Sequence, residues 1–333
     1  MTSIASPTLW FITIGVVVAL LAVDFIATRR PHEVSMKEAI AWSAFYVALP
    51  LAFGLYVWNV HGGDRGLEYY TGYLVEKTLS VDNLFVFMLL LAAFAVPEVL
   101  KQRVLLYGII GALVLRGIFI ALGAAALSRF DWVFLVFGAI LLLTGVKLLR
   151  DAIRGQEHEV DVAEMRVVKV MRRFMPVTDD YEGAKFTVIK DGARALTPFA
   201  LVTVAVFATD VVFAVDSVPA VYGITGDPYL VFVTNAFALL GLRALYFVLE
   251  GALGALAHLS YGLAAILGFI GFKLVLHWAH LVWPDVPDVP TLMSLFVILG
   301  ILAITITTSL VANRRTKAKA AAGRDEDEPV GSR

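Results

Sequence analysis

The chain contains no cysteine in 333 residues. Disulfides, thiolate metal sites and iron–sulfur clusters are therefore excluded. Charge is also scarce: 17% of residues are charged and 59% are hydrophobic. Soluble domains carry about 25% charged residues and about 45–50% apolar ones. The imbalance, with a mean hydropathy of +0.82, excludes an ordinary soluble globular fold. Met1 to Trp10 holds no Lys or Arg, so the basic start of a cleavable signal peptide is missing. The first apolar run is expected to stay in place as a membrane span. No His-Glu-x-x-His occurs, and no Gly-x-Gly-Asp precedes the membrane aspartates. Neither protease frame is present, and no enzyme is expected. The net charge of −1 says nothing about partners, because the charges are sorted by loop. No nucleic-acid partner is expected.

What remains is a series of apolar runs. A hydrocarbon core of ~30 Å needs about 20 residues per helix. The runs predict an all-α polytopic membrane protein with helices near 9–28, 39–60, 70–95, 104–126, 131–150, 197–222, 229–253, 258–281 and 291–312. Basic residues favour cytoplasmic loops. Arg29, Arg30 and Lys37 follow the first span, Lys101 and Arg103 the third, Arg154 to Arg194 the fifth, and Arg314 to Arg324 the ninth. These loops share a side if the N-terminus is outside and the C-terminus cytoplasmic. The linker 151–195 suggests a solvated connector or a short amphipathic helix at the membrane surface. The segment 1–313 forms one transmembrane domain, and 314–333 reads as a disordered cytoplasmic tail.

Two apolar segments carry the same acidic frame. Glu76 is followed six positions later by Asp82 and then Asn83; Asp210 is followed six later by Asp216 and then Ser217. Leu115-Arg116 has an echo in Leu242-Arg243, and Gly145-Val146-Lys147-Leu148 in Gly271-Phe272-Lys273-Leu274. The matches keep their order, which points to duplication of a three-helix unit: unit one at about 70–150 and unit two at about 196–281. The helices 9–28, 39–60 and 291–312 flank them. Three spans followed directly by their copy place the copy upside down, as in many transporters with a midplane site at the repeat interface.

A charge within a bilayer costs about 2.5–3.5 kcal/mol on insertion scales. Either Glu76, Asp82, Asp210 and Asp216 pair structurally with Arg116 and Arg243, or they hold a cation. Two arginines neutralise two of four carboxylates. The surplus of two negative charges suits a divalent cation. Six residues along an α-helix turn ~600°, about 120° away from the starting face. Each motif therefore cannot chelate one ion by itself unless the helix unwinds, for instance near Pro219 and Gly223. The preferred metal site joins Asp82 and Asp216, helped by Asn83 and Ser217. Glu76 and Asp210 serve as secondary ligands, gates or arginine partners. Asp24 is expected as an interfacial cap or in a local ion pair, with a pathway role second, and Glu250 is expected at an interface. Lys147 and Lys273 are expected to reach the headgroups. His277 and His280 are spaced to share a metal, although wet span ends often collect histidine.

The strings from Val75 to Phe87, from Thr209 to Ala220 and from Arg173 to Asp180 closely resemble the TerC/Alx family of integral membrane proteins. The likeness runs from the first span to the ninth. It implies a member of the LysE-type transporter grouping in a bacterial inner membrane. It also implies manganese export or homeostasis through membrane acidic residues, and a link by name to tellurite resistance. Mn²⁺ would be cargo rather than a bound cofactor, possible exchange with protons is implied, and partners beyond the cation and the bilayer are not indicated. An accessory protein that delivers metal is the alternative. One departure is Phe207, where many members carry Glu.

Overall fold

In the computed structural model, the structure describes residues 3–27, 35–155, 165–178, 180–190, 193–250 and 258–326. The elements are α1 (Pro7–Ala27), α2 (Met36–His61), α3 (Gly63–Ala93), α4 (Glu98–Leu127), α5 (Trp132–Arg154), α6 (Arg166–Phe174), β1 (Thr187–Lys190), β2 (Ala193–Leu196), α7 (Pro198–Tyr222), α8 (Pro228–Leu240), α9 (Leu242–Glu250), α10 (Leu259–Val282) and α11 (Thr291–Glu326). Among the described residues, seven helices are long and apolar enough to cross a membrane: α1, α2, α4, α5, α7, α10 and the Thr291–Asn313 part of α11. The pair α8 and α9, bent by 43°, makes an eighth if it is one broken span. The segment expected at 70–95 lies inside α3, whose 31 residues are long enough. Glu76, Lys77 and Asp82 at its centre keep it out of the apolar set.

The fold is helical as expected apart from one short hairpin, in which β1 and β2 pair antiparallel, with Val188 opposite Ala195. Of the two readings of the linker 151–195, the short helix is present as α6, and the hairpin follows it. The expectation of a disordered tail is corrected: it is helical as far as Glu326, since its run of Ala, Lys and Arg favours helix; 327–333 lie outside the described residues. So do Arg29, Arg30 and Asp179.

Local chemistry sets the helix starts near the centre of the molecule. The Thr197 side chain accepts from the Ala200 amide, with Pro198 in the first turn of α7. Asp227 accepts from Tyr229, with Pro228 opening α8. Such caps satisfy amides that have no partner within the helix. Asp227 also accepts from Ser3 Oγ at 2.9 Å and the Ile4 amide at 2.7 Å, which ties the start of the chain to α8.

The most extensive helix pairing is α5 with α10. It is antiparallel, and glycine makes it close. A Cβ at Gly138 would lie 2.8 Å from the Gly271 carbonyl oxygen, and one at Gly271 would lie 2.9 Å from that of Gly138. A Cβ at Gly145 would lie 3.1 Å from the Ala264 oxygen. Beside this pair, α4 packs on α7, α3 packs on α8, and α3 meets α7. Residues on α1, α5 and α11 turn apolar side chains outward, such as Phe11 and Leu143, 77% and 72% exposed. Faces of that kind suit lipid. Gly271→Ala is expected to cost about 1–3 kcal/mol by overpacking. Gly268→Ala, on the same helix with nothing within 4 Å of a Cβ, should be neutral or better. Thermal melting of the two variants in detergent checks this, and equal melting temperatures would refute the close-contact account.

Candidate functional site

α3 and α7 run as continuous helices through their acidic motifs. The break considered near Pro219 and Gly223 is absent. Pro219 sits in the last turn of α7, where its missing amide removes one helical bond without ending the helix, which runs on to Tyr222. The bend falls instead at Gly241, between α8 and α9. There Lys77 Nζ donates to the Ala238 carbonyl at 3.4 Å, serving a chain segment whose helical bonding is interrupted.

Because each helix stays regular, the two acids of each motif face different neighbours. Arg116 of α4 donates through Nη1 to Glu76 Oε1 and through Nη2 to Asp210 Oδ1 at 3.2 Å. All three side chains are buried. Asn83, seven residues after Glu76 and so back on its face, joins them. With its amide turned to match donors with acceptors, its oxygen accepts from Arg116 Nη2 at 2.9 Å and its nitrogen donates to the Leu79 carbonyl at 3.1 Å. One guanidinium thus links the first motif to the second.

Arg243 does not share this duty. It donates to Asp24 through Nη2 at 2.8 Å and Nε at 3.3 Å, and to Gln102 Oε1 through Nη1 at 3.2 Å. Asp24 is 1% exposed; of its two expected roles it takes the ion pair, with the distant Arg243 and not with a neighbour in sequence. Two of the four motif acids are neutralised as expected from the count of charges, but Arg116 alone holds both, and Arg243 takes an acid from α1 instead.

Asp82 and Asp216 come together on one cavity of about 520 Å³. Asn83, Ser217, Thr144, Lys147 and Asp151 also line it. Thr144 Oγ1 donates to Asp216 Oδ1 at 2.8 Å. Ser217 Oγ is buried with no hydrogen-bond partner among the described residues, which leaves an oxygen able to turn toward a ligand. Three aspartates against one lysine give the wall two formal negative charges. Met165 and Val167 of the linker reach the same wall. Among the described residues no three acidic or imidazole side chains converge as a ready-made metal cluster. The cavity offers two motif carboxylates on its wall with neutral oxygens around them.

Other candidates lie elsewhere. Phe207 lies against α4, where a Cβ at Gly111 would meet its ring at 2.3 Å; it does not line the cavity. Lys147 is on the cavity wall, while Lys273 is buried and donates to Ser294 Oγ at 3.1 Å, so it does not reach for headgroups. His277 Nδ1 lies 2.9 Å from Asp288 Oδ2, and His280 Nδ1 lies 2.6 Å from the Val286 oxygen. The two histidines therefore turn to different partners. Burial pushes the Asp288 carboxyl up, but the hydrogen bond and charge of His277 outweigh this and hold it below the usual carboxylate range. The Glu250 side chain lies outside the described residues. Sequence reasoning missed Thr144, although it immediately precedes the repeated Gly-x-Lys-Leu, and Lys77, which sits beside Glu76.

Fold and site together define a multi-pass integral membrane protein with a charged network buried between its helices. The chain belongs to the TerC family of integral membrane proteins, which it matches over residues 61–317. It is 40% identical over 313 residues to an uncharacterized membrane protein of Myxococcus xanthus, STKORF319, covering 94% of this chain and 95% of that one. It is 40% identical over 329 residues to a proposed membrane-bound redox modulator, Alx, of Salmonella typhi, covering 96% and 99%. The Alx of Escherichia coli K12 is 41% identical over 286 residues, covering 83% and 88%. No solved structure matches the chain.

Proposed function

We propose that the protein exports divalent metal cations, with Mn²⁺ as the principal cargo, and so contributes to manganese homeostasis. The observation that carries this reading is the meeting of Asp82 and Asp216 on one cavity, while Arg116 occupies the other acid of each motif. Two carboxylates with hydroxyl and amide oxygens nearby suit hard cations such as Mn²⁺, Ca²⁺ or Mg²⁺. The preference for Mn²⁺ rests on family resemblance. The relatives named for redox modulation share most of their length with this chain. With no cysteine, it would carry no thiol exchange of its own.

Our reading of the two halves as inverted units would support a transport role. An offset of 126 residues carries Gly145 onto Gly271 and Gly138 onto Ala264, and these four residues meet in the close antiparallel contact of α5 with α10. An antiparallel pair of this kind is compatible with inverted units. The positive-inside rule puts the end bearing α6 and the hairpin in the cytoplasm. The cavity would load there, and protons could replace the metal on its carboxylates.

The test is uptake of radioactive Mn²⁺ into vesicles of known orientation, with Ca²⁺ and Zn²⁺ as competitors and an imposed pH gradient. Mn²⁺ is expected to move against its gradient, with Ca²⁺ a weaker competitor. No accumulation under a gradient of either sign would overturn the reading.

A further inference from the structure

The cavity holding Asp82 and Asp216 has a smaller counterpart at the other end of the molecule. It measures about 400 Å³ and lies where α7 ends, α10 ends and α11 begins. Lys273, Leu274 and His277 line it. Under the 126-residue offset these stand for Lys147, Leu148 and Asp151, which line the larger cavity. The same stretch of α5 and of α10 therefore walls a cavity at each end.

The two differ in depth. The larger cavity reaches both aspartates. The smaller one is lined by neither, and Leu274 on its wall belongs to an apolar plug with Leu79, Val218, Val221 and Ile270. Gly223 lets α7 close on α10 here, because a Cβ at that position would lie 2.5 Å from Ile270 Cγ2 and 3.2 Å from Leu274 Cγ. Beyond this plug, α10 is tied to the residues around the start of α11. Lys273 donates to Ser294, and His277 meets Asp288. Lys273 is 7% exposed, and among the described residues it has no ion-pair partner within 4 Å. The Lys273 side chain thus sits on the cavity wall with a hydroxyl as its direct partner and Asp288 on the same wall, and a charge buried there is costly unless it serves a purpose.

We propose that the smaller cavity is the closed exit of the cation path, and that Lys273 is the positioning residue that keeps it closed and repels a returning cation. This rests on the transport reading and on its inverted units. Exchanging the conformations of the two units opens the exit along α10. Lys273 then shares a cavity with Asp82, as Lys147 now does with Asp216. Ile270, at the offset position of Thr144, becomes the residue facing Asp82. The charge of Lys273 there favours departure of the metal outward.

The absence of cysteine makes the experiment direct. Single cysteines at Leu148 and Ile270 are introduced separately into the full chain in oriented vesicles. Each is probed with a membrane-impermeant maleimide from either side, and Mn²⁺ transport is measured in the same preparations. Leu148→Cys should label from the cytoplasmic side at rest. Ile270→Cys should label from the opposite side, and only while Mn²⁺ is being transported. Adding Lys273→Met should raise resting labelling of Ile270→Cys about tenfold, the scale of losing one hydrogen bond to a charged group. Lys273→Arg should restore the closed behaviour. Ser294→Ala removes the same bond from its other end and gives the readout if Lys273→Met fails to fold. Normal transport with Ile270→Cys inaccessible throughout, or Met and Arg acting alike at 273, overturns this inference alone. No Mn²⁺ movement by the cysteine-free parent overturns the transport reading, and this inference with it.

Discussion

Asp82→Asn and Asp216→Asn are each expected to lower the initial rate of Mn²⁺ export by roughly thirtyfold or more, while the protein still inserts and melts normally. The substitution keeps the shape of the side chain and, at 216, an oxygen to accept from Thr144. It removes one of the two formal charges that the cavity wall presents. Losing one partner of a desolvated charge pair costs about 2–5 kcal/mol, which sets the scale. Stability should hardly change, because both side chains are only half-buried and an amide is cheaper than a carboxylate to keep from water. Initial rates in vesicles, beside melting curves in detergent, decide the matter. Near-normal export by both variants would remove this cavity from the transport path.

Arg116→Met should do the reverse and damage the fold first. It leaves Glu76 and Asp210, 0% and 1% exposed, facing each other without the guanidinium between them. Breaking a buried pair by removing one partner costs about 3–5 kcal/mol. Replacing all three, as Arg116→Met with Glu76→Gln and Asp210→Asn, should recover most of that loss, since no charge is left stranded. Arg116→Lys should fall between, because a single ammonium cannot match a fork that reaches two carboxylates and an amide. Melting temperature and the monodisperse fraction after extraction are the measurements. A triple variant less stable than Arg116→Met would show that the bonds themselves, and not the balance of charge, hold these helices together.

These results would also test how far the sequence can be read. Periodicity and apolar length located α1, α2, α5, α7 and α10 to within a few residues, because membrane spans must satisfy their own backbones and little else can compete; α3 and α4 begin six or seven residues earlier than expected, and α11 runs on well past its apolar part. The six-residue spacing correctly separated Glu76 from Asp82, since it depends only on helical pitch. It could not say which acid Arg116 would take. That choice depends on how α4 sits between α3 and α7. Asp24 was harder still. Its partner Arg243 lies 219 residues away, on a helix that bends just before it. The hydropathy pattern gave no hint of the bend at Gly241, because Gly occurs throughout these spans and Lys77, which serves the bend, comes from another helix. The repeat suggested that the two arginines would act alike. The structure gives them different partners because α1 brings Asp24 to Arg243 and no such acid to Arg116.

That asymmetry makes α1 an insulator. Without Asp24, Arg243 would keep Gln102 as a partner, and the motif acids would draw its charge. A second guanidinium beside them would cut the negative charge of the cavity wall from two to one. A helix that adds nothing to the cavity wall thus decides how strong an appetite the cavity has for a cation.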